Sequence, residues 1–262
     1  MDMLREFFGI GGYRRVPEGY LSVEHLMFVT TLLAVMALLA VLLGRRNRHR
    51  SEEEKNAVLL GAAVAINAFE MVKIVVRCME HGVQEILYLL PLFLCSVQLI
   101  AIPLAALSRG RLREAAMDFV VIFGPVGALL GTYAAGQNYA CYPVLSADNV
   151  ISGLTHGISG FTALYILISG MASMKRSNVP VTYAIILSFC VPAYVMNHVI
   201  DYNYMFLVRG DGTPYDILYN LVGGSGLLYP LGVVGLFLLY ITAYYQVYYL
   251  VRRALGRRRK MV

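Results

Sequence analysis

The chain has 262 residues, of which 58% are hydrophobic and 15% charged, and its mean hydropathy is +0.64. Soluble globular proteins average about 45–50% apolar and about 25% charged residues, so this composition excludes a soluble domain and a disordered chain. The net charge of +6 does not indicate nucleic-acid binding, because the basic residues cluster beside apolar stretches, where they meet anionic lipid headgroups. We therefore expect an all-α, polytopic membrane protein.

Seven apolar stretches are long enough to cross a bilayer as helices, which takes roughly 20 residues each. They lie at about 23–43, 56–76, 86–107, 115–134, 150–172, 180–200 and 227–250. No internal repeat or linker divides the chain. The sequence therefore predicts that residues 1–262 form a single domain of seven transmembrane helices.

The basic residues predict the orientation of these helices. Sixteen Lys and Arg residues fall in the loops after the first, third and fifth spans and in the C-terminal tail, which includes Arg257, Arg258, Arg259 and Lys260. The other side holds five: Arg5, Arg14, Arg15, Arg77 and Arg209. Because cytoplasmic loops are enriched in Lys and Arg, we expect the N-terminus outside and the C-terminus in the cytoplasm.

The second span carries ionisable residues, which are costly inside a bilayer and often mark functional sites. Asn67, Glu70, Lys73 and Arg77 are spaced by three or four residues and so share one helix face. One interpretation is an ion pair between Glu70 and Lys73 that stabilises the helix bundle. The other is that Glu70 orients or charges a catalytic partner.

The third span contains the run Leu90-Pro91-Leu92-Phe93-Leu94-Cys95-Ser96-Val97-Gln98. Pro91 lacks an N–H group and is expected to bend the helix. Cys95 follows one turn later, where it is either a small hydrophobic residue or a nucleophile. Gln98, one turn further on, is a candidate for orienting a substrate.

Polar residues also occur near the outer ends of the later spans. His156 lies among three glycines in the fifth span and is either a buried histidine bonded to a carbonyl group or a catalytic base. The sixth span ends with Asn197 and His198, and the loop that follows contains Asn203 and Tyr204. These four residues are candidates for binding or orienting a substrate, although His198 also fits a histidine at the membrane interface.

Cys95 and His156 are expected at similar depths in the outer half of the bilayer. From a rise of about 1.5 Å per residue, Glu70 and His156 lie roughly 9 Å deep and Cys95 about 13 Å deep. A thiol beside an imidazole is the minimum for nucleophilic catalysis, since the imidazole takes the thiol proton and returns it to a leaving group. The sequence therefore predicts Cys95 and His156 as catalytic residues, with Glu70 or Asn203 as a third group that orients the imidazole.

Several short motifs resemble the YwaF-like family of bacterial integral membrane proteins. The matching pieces are Glu24-His25-Leu26, Leu90-Pro91-Leu92-Phe93-Leu94-Cys95-Ser96, Leu154-Thr155-His156-Gly157, Asn203-Tyr204-Met205-Phe206 and the Gly/Pro-containing stretch from Leu218 to Pro230. Two departures are Phe93, where the family often has His, and the absence of tryptophan near the last helix. Phe93 removes one polar partner of Cys95, so the thiol would depend on His156.

The resemblance also implies a function. The YwaF-like family is similar to animal membrane acyltransferases that remodel ether phospholipids through a cysteine, and more remotely to androgen-induced-type hydrolases of fatty-acid esters. It implies that Cys95 is the nucleophile, that His156 is the base and that the substrate is a membrane phospholipid or lysophospholipid, without a cofactor. It also implies a location in the bacterial plasma membrane.

Two other functions remain open at this point. A seven-helix zinc hydrolase would draw its ligands from His25, His156, His198 and Asp201, although the last span supplies no His, Asp, Glu or Cys. A non-enzymatic transporter or receptor would use the buried polar residues to bind a ligand. Separately, Cys78 and Cys141 are close enough to the outer face to form a disulfide in an oxidising compartment, but we expect free thiols.

Overall fold

The computed structural model describes residues 2–258, and every regular element in that range is helical. The helices are α1 (Asp2–Phe8), α2 (Val23–Asn47), α3 (Glu52–His81), α4 (Gln98–Leu107), α5 (Gly110–Tyr133), α6 (Gly136–Cys141), α7 (Ala147–Ser169), α8 (Val179–Val199), α9 (Tyr215–Leu221) and α10 (Leu228–Arg258). Short 3₁₀ turns lie at Val83–Tyr88, Arg176–Asn178 and Tyr204–Phe206. Arg259 and Lys260, which contribute to the predicted orientation, lie outside the described residues.

Within residues 2–258, six helices are long and apolar enough to cross a membrane: α2, α3, α5, α7, α8 and α10. They correspond to six of the seven predicted spans. Serine side chains begin three of them, because Ser22, Ser51 and Ser146 each accept a hydrogen bond from the backbone N–H group three residues later. Gly170, in the left-handed conformation with φ of 79°, ends α7.

The third predicted span, 86–107, is not one continuous helix, and this part of the prediction was wrong. The chain forms the 3₁₀ turn Val83–Tyr88, then turns and bends over 89–97, and only then the ten-residue helix α4. Ten residues of helix measure about 15 Å, roughly half of the hydrocarbon core. Pro91 explains part of the interruption, since a proline inside a helix removes a backbone hydrogen bond and clashes with the preceding turn.

Three contacts fix the path of residues 83–107 along α3. At the C-terminal end of α3, Arg77 pairs with Glu85 at 3.1 Å. In the middle, the Asn67 amide donates to the Leu99 carbonyl oxygen at 3.0 Å, and at the other end the Asn56 amide donates to the Ala106 carbonyl oxygen at 2.9 Å. The segment therefore runs antiparallel to α3 along most of its length.

The centre of the bundle is the contact between α5 and α7, which is built on small residues. A Cβ atom added at Gly124 would lie 2.7 Å from the Ser159 carbonyl oxygen, and one added at Gly160 would lie 2.7 Å from Ala128 Cβ. Small residues let membrane helices approach closely and gain packing contacts. The close approach brings the side chains of α7 against the backbone of α5.

Polar networks join the helices at both ends of the bundle. At one end, the fully buried Asp118 carboxylate accepts hydrogen bonds from Met174 N, Asn178 Nδ2 and Tyr245 OH at 2.8–2.9 Å. At the other end, residues 13–22 pack on the start of α7, where Tyr13 OH donates to Asp148 at 2.8 Å. Asp118 therefore anchors α5 to α8 and α10.

Candidate active site

A small cavity of about 30 Å³ lies between α3, the chain that leads into α4, and α7. Its walls combine apolar and polar side chains. They are Ile66, Glu70, Lys73, Cys95, Ser96, Leu99, Thr155, His156 and Ser159. Three of the predicted site residues, Glu70, Cys95 and His156, therefore share one cavity.

The Cys95 thiol and the His156 imidazole lie close together on the wall of this cavity. His156 Nδ1 lies 2.7 Å from the Ser152 carbonyl oxygen, one turn earlier in α7. Because a carbonyl oxygen only accepts, Nδ1 carries the proton and Nε2 of the neutral imidazole keeps its lone pair. The backbone of α7 thus selects the tautomer that can take a proton from a thiol.

The backbone of α5 gives the imidazole its place. A Cβ atom at Gly131 would overlap the His156 ring at Cδ2 and Nε2. A Cβ atom at Gly127, one turn earlier, would lie 4.0 Å from Cys95 Cβ. Gly131 therefore leaves the space that the histidine ring occupies, whereas a side-chain carbon at position 127 would be in ordinary contact with Cys95.

Glu70 and Lys73 form an ion pair on the wall of the same cavity. Glu70 Oε1 lies 2.6 Å from Lys73 Nζ, and their side chains are 10% and 23% exposed. The ion-pair interpretation of the sequence thus describes the contact that the residues make. The pair also belongs to the cavity, and the Lys73 charge is near enough to act on both Cys95 and His156.

Two cavity residues were missing from the sequence-based site. Lys73 was considered only as the partner of Glu70, although its place on the same helix face as Glu70 was a usable signal. Ser96 was only part of the motif, yet it lines the cavity beside Cys95. The hydroxyl groups of Thr155 and Ser159 donate to carbonyl oxygens of α7 and so are occupied within their own helix.

The other predicted orienting residues lie outside the cavity lining. Gln98 is 1% exposed, and neither its amide oxygen nor its nitrogen has a partner among the described residues. His198 is exposed, and its Nδ1 bonds to the Tyr194 carbonyl oxygen at 2.8 Å. That contact fits a histidine at the membrane interface.

Asn197, Asn203 and Tyr204 hold the loop after α8 in place. The Asn197 side chain bonds to both the backbone N–H and the carbonyl group of Tyr204. The Asn203 amide donates to the Arg209 carbonyl oxygen and to Asp211, at 2.7 and 2.8 Å. The Tyr204 hydroxyl group donates to the Leu87 carbonyl oxygen and so links this loop to the segment that leads to Cys95.

The ligands of the alternative zinc site do not form one cluster. Among residues 2–258, no group of three or more His, Cys, Asp and Glu side chains is arranged to hold a metal ion. His25 is fully buried, with Nδ1 accepting from Leu21 N at 3.1 Å and Nε2 at 3.2 Å from the Thr132 carbonyl oxygen. His25 therefore links α2 to α5.

The remaining cysteines are free thiols in the structure. Cys78 is half-buried, Cys141 is exposed, and the two do not form a disulfide. Cys190 is buried on α8, where its thiol lies 3.9 Å from the Met205 sulfur. Of the four cysteines, Cys95 is the one beside a histidine base.

The six apolar helices and the buried polar cavity define an integral, multi-pass helical membrane protein. The model of the TMEM164 family matches residues 20–251, and the chain belongs to the TMEM164 family. No curated protein and no solved structure matches the chain. The family match lends no support to the YwaF-like resemblance, to an acyltransferase or hydrolase relationship, or to a bacterial plasma membrane location.

Proposed function

We propose that this protein is a membrane-embedded enzyme that transfers or hydrolyses the acyl esters of phospholipids through Cys95 and His156. The observation that carries the proposal is that the Cys95 thiol and the His156 imidazole line one small cavity among the apolar helices. The tautomer of His156 supports it, since Nε2 is free to accept the thiol proton while Nδ1 is held by Ser152. The substrate class follows from the surroundings, because the ester groups of lipids are the acyl donors available at this depth.

The reaction divides into two acyl transfers. His156 Nε2 takes the Cys95 proton while the sulfur attacks the ester carbonyl carbon, and the carbonyl electron pair moves onto oxygen. The tetrahedral intermediate collapses with cleavage of the bond between the acyl carbon and the ester oxygen, and the leaving alkoxide takes the proton from His156. A lysolipid leaves, and the acyl chain remains as a thioester until a second lysolipid or water attacks it with the same help from His156.

We propose seven membrane crossings, with the site opening toward the outer leaflet. The antiparallel path of residues 83–107 along α3 supports the third crossing, even though only α4 is a regular helix there. Irregular backbone is tolerated at membrane depth where protein surrounds it. The distribution of Lys and Arg supports an outside N-terminus and puts the Cys95 end of α4 in the outer half of the bilayer.

The test is the intact mass of the purified protein after incubation with a diacyl phospholipid in vesicles. We expect an increment of one acyl chain in the wild type and none in Cys95→Ala. Cys78→Ala is the matched control, because Cys78 is also half-buried but lies outside the cavity. Lyso-product is measured in parallel, since fast turnover would leave little thioester.

The histidine is tested in the same assay. We expect His156→Gln to slow acylation by about 10²–10⁴-fold, the range of general acid–base catalysis. The matched control is His198→Gln, which changes an exposed histidine outside the cavity. Lyso-product that persists in Cys95→Ala, or a wild type that gives neither adduct nor lyso-product, would overturn the proposed function in favour of a ligand-binding membrane protein.

A further inference from the structure

We infer that Lys73 is a catalytic residue that binds the negatively charged carbonyl oxygen formed during acyl transfer, and that Glu70 positions it. This inference rests on the proposed function and adds a third chemical group to it. Neither the thiol nor the imidazole can stabilise an oxyanion while the two exchange a proton. Acyl transfer therefore needs a separate cation or hydrogen-bond donor directed at the place where charge develops.

Lys73 is the cation of this cavity. Of the nine lining residues, Glu70 and Lys73 carry permanent charges, and Lys73 shares the cavity wall with Cys95 and His156. An ammonium group has three donors, and Glu70 Oε1 accepts one of them at 2.6 Å. Spacing of three residues on one helix lets Glu70 hold the ammonium group beside the cavity without a contact from another helix.

The size of the cavity selects the carbonyl oxygen over a lipid phosphate as the partner of Lys73. A single water needs about 10–15 Å³, so the cavity of about 30 Å³ has room for one or two atoms of that size. An ester carbonyl group fits this space, whereas a phosphodiester with its four oxygens does not. The headgroup must therefore stay outside while the ester enters between Cys95 and Lys73.

The other side-chain donors at the site are occupied or neutral. Thr155 and Ser159 donate their hydroxyl protons to carbonyl oxygens within α7. The Ser96 hydroxyl group also lines the cavity, but it carries no positive charge. The amide of Asn203, an oxyanion candidate from the sequence, donates to Arg209 and Asp211 in the outer loop. Lys73 is left as the group that meets the charge of the intermediate.

The test compares two reactions of Cys95 in the same protein. Acylation by a diacyl phospholipid passes through an oxyanion, whereas alkylation by iodoacetamide does not. We expect Lys73→Met to slow acylation by about 10²-fold or more, the effect of removing one oxyanion donor. The rate of Cys95 alkylation at neutral pH should fall much less. The ratio of the acylation rate to the alkylation rate therefore measures how much oxyanion stabilisation is lost.

The matched control is Lys55→Met on the same helix. Lys55 also pairs with a glutamate three residues away, Glu52, at 2.9 Å, but lies about 27 Å from Lys73 along α3. We expect this variant to keep the wild-type ratio of acylation to alkylation. Lys73→Arg retains a cation and is expected to recover most of the acylation lost in Lys73→Met.

The outcomes separate this inference from the proposed function. If the wild type forms no Cys95 adduct and no lyso-product, the proposed function itself fails. If the wild type is acylated and Lys73→Met is acylated equally fast, or if acylation and alkylation fall together, Lys73 does not bind the oxyanion. Should Lys73→Met not fold, Lys73→Gln keeps a donor to Glu70 and gives the same comparison of rates.

Discussion

His156 occupies space that a side chain at position 131 would fill. The imidazole lies against the bare backbone of Gly131 on α5, and its Nδ1 is fixed by the Ser152 carbonyl oxygen on α7. A hydrogen bond therefore fixes one side of the ring, and the other side occupies the space left because Gly131 has no side chain. A change at either place should move Nε2 away from Cys95.

Gly131→Ala tests whether the missing side chain at this position keeps the His156 ring in place. The new methyl group would overlap the His156 ring, so the imidazole must shift, and we expect acylation of Cys95 to slow by about 10²-fold, as for a misplaced catalytic group. Gly235→Ala on α10 is the control, because its added Cβ would meet no atom within 4 Å. Equal acylation rates in the two variants, measured by intact mass, would contradict the role assigned to Gly131.

Part of the site follows from the sequence at this scale. Helical rise is enough to give Glu70 and His156 similar depths, because both lie on regular helices, but it does not give the depth of Cys95, which lies in the irregular stretch 89–97. The adjacency of these residues does not follow from the sequence, since it depends on the close approach of α5 to α7 at Gly131 and Gly160. A polar residue such as Asn203 can belong to a catalytic site or stabilise a turn. In the structure its amide group bonds to Arg209 and Asp211, so it stabilises the loop after α8.

At the level of secondary structure, hydropathy predicts which segments are apolar, but it does not predict whether the backbone of such a segment forms a regular helix. Regular helices form at six of the predicted spans, for example 180–200 against Val179–Val199, although α10 continues to Arg258, beyond the predicted end at 250. The third span differs because residues 89–97 are apolar but irregular, and other parts of the protein pack around them. The Tyr204 hydroxyl group and the Asn67 amide bond to the Leu87 and Leu99 carbonyl groups on either side of this segment, and such long-range contacts leave no periodic trace in the sequence.

Residues 13–22, which precede α2, are joined to the start of the α7 region in part through the charged side chain of Glu18. Glu18 Oε2 accepts a hydrogen bond from Val144 N at 2.7 Å, and its other oxygen pairs with Arg15. Burial raises the pKa of Glu18, but the hydrogen bond from Val144 and the pairing with Arg15 outweigh it, so the pKa lies below the ordinary value of 4.5. The ionised carboxylate therefore stabilises the folded state.

The pH dependence of the stability follows from the lowered pKa of Glu18. Because the pKa is lowered on folding, the contribution of Glu18 to the free energy of unfolding is complete above pH 4.5 and is lost as the pH falls through the lowered pKa. We expect wild type to unfold at a higher temperature than Glu18→Gln at neutral pH, with the difference vanishing in acid. Thermal unfolding in detergent across this range measures it, and a difference that persists in strong acid would refute the assignment.

At the scale of the whole molecule, the polar groups have separate tasks. The cavity of Cys95 and His156 holds the Glu70–Lys73 ion pair between α3 and α7, whereas the Asp118 network binds α5, α8 and α10 together. Thr182 extends this network through its hydroxyl contact with Tyr245 at 3.1 Å. The two sets share no residue, so stability and catalysis should respond to different substitutions.

Asp118→Asn tests this separation. The carboxylate accepts at least three hydrogen bonds, and the substitution replaces one acceptor with a donor and removes the charge. We expect the free energy of unfolding to fall by about 1–3 kcal/mol, seen as a lower unfolding temperature, while the folded protein acylates Cys95 at the wild-type rate. Asp201→Asn, at a side chain that is 99% exposed, is the control and should leave both quantities unchanged.

The irregular backbone at 89–97 has a consequence for how the protein is made. A regular apolar helix satisfies its own hydrogen bonds and can enter lipid alone, but turns and bends leave N–H and carbonyl groups that cost several kcal/mol each in hydrocarbon. We therefore expect this segment to be stable in the membrane only after α5 and α7, which are synthesised later, have packed around it. Cys95 and the proposed base His156 come together only after α7 has been synthesised, so a shorter nascent chain lacks the pair that the proposed reaction needs.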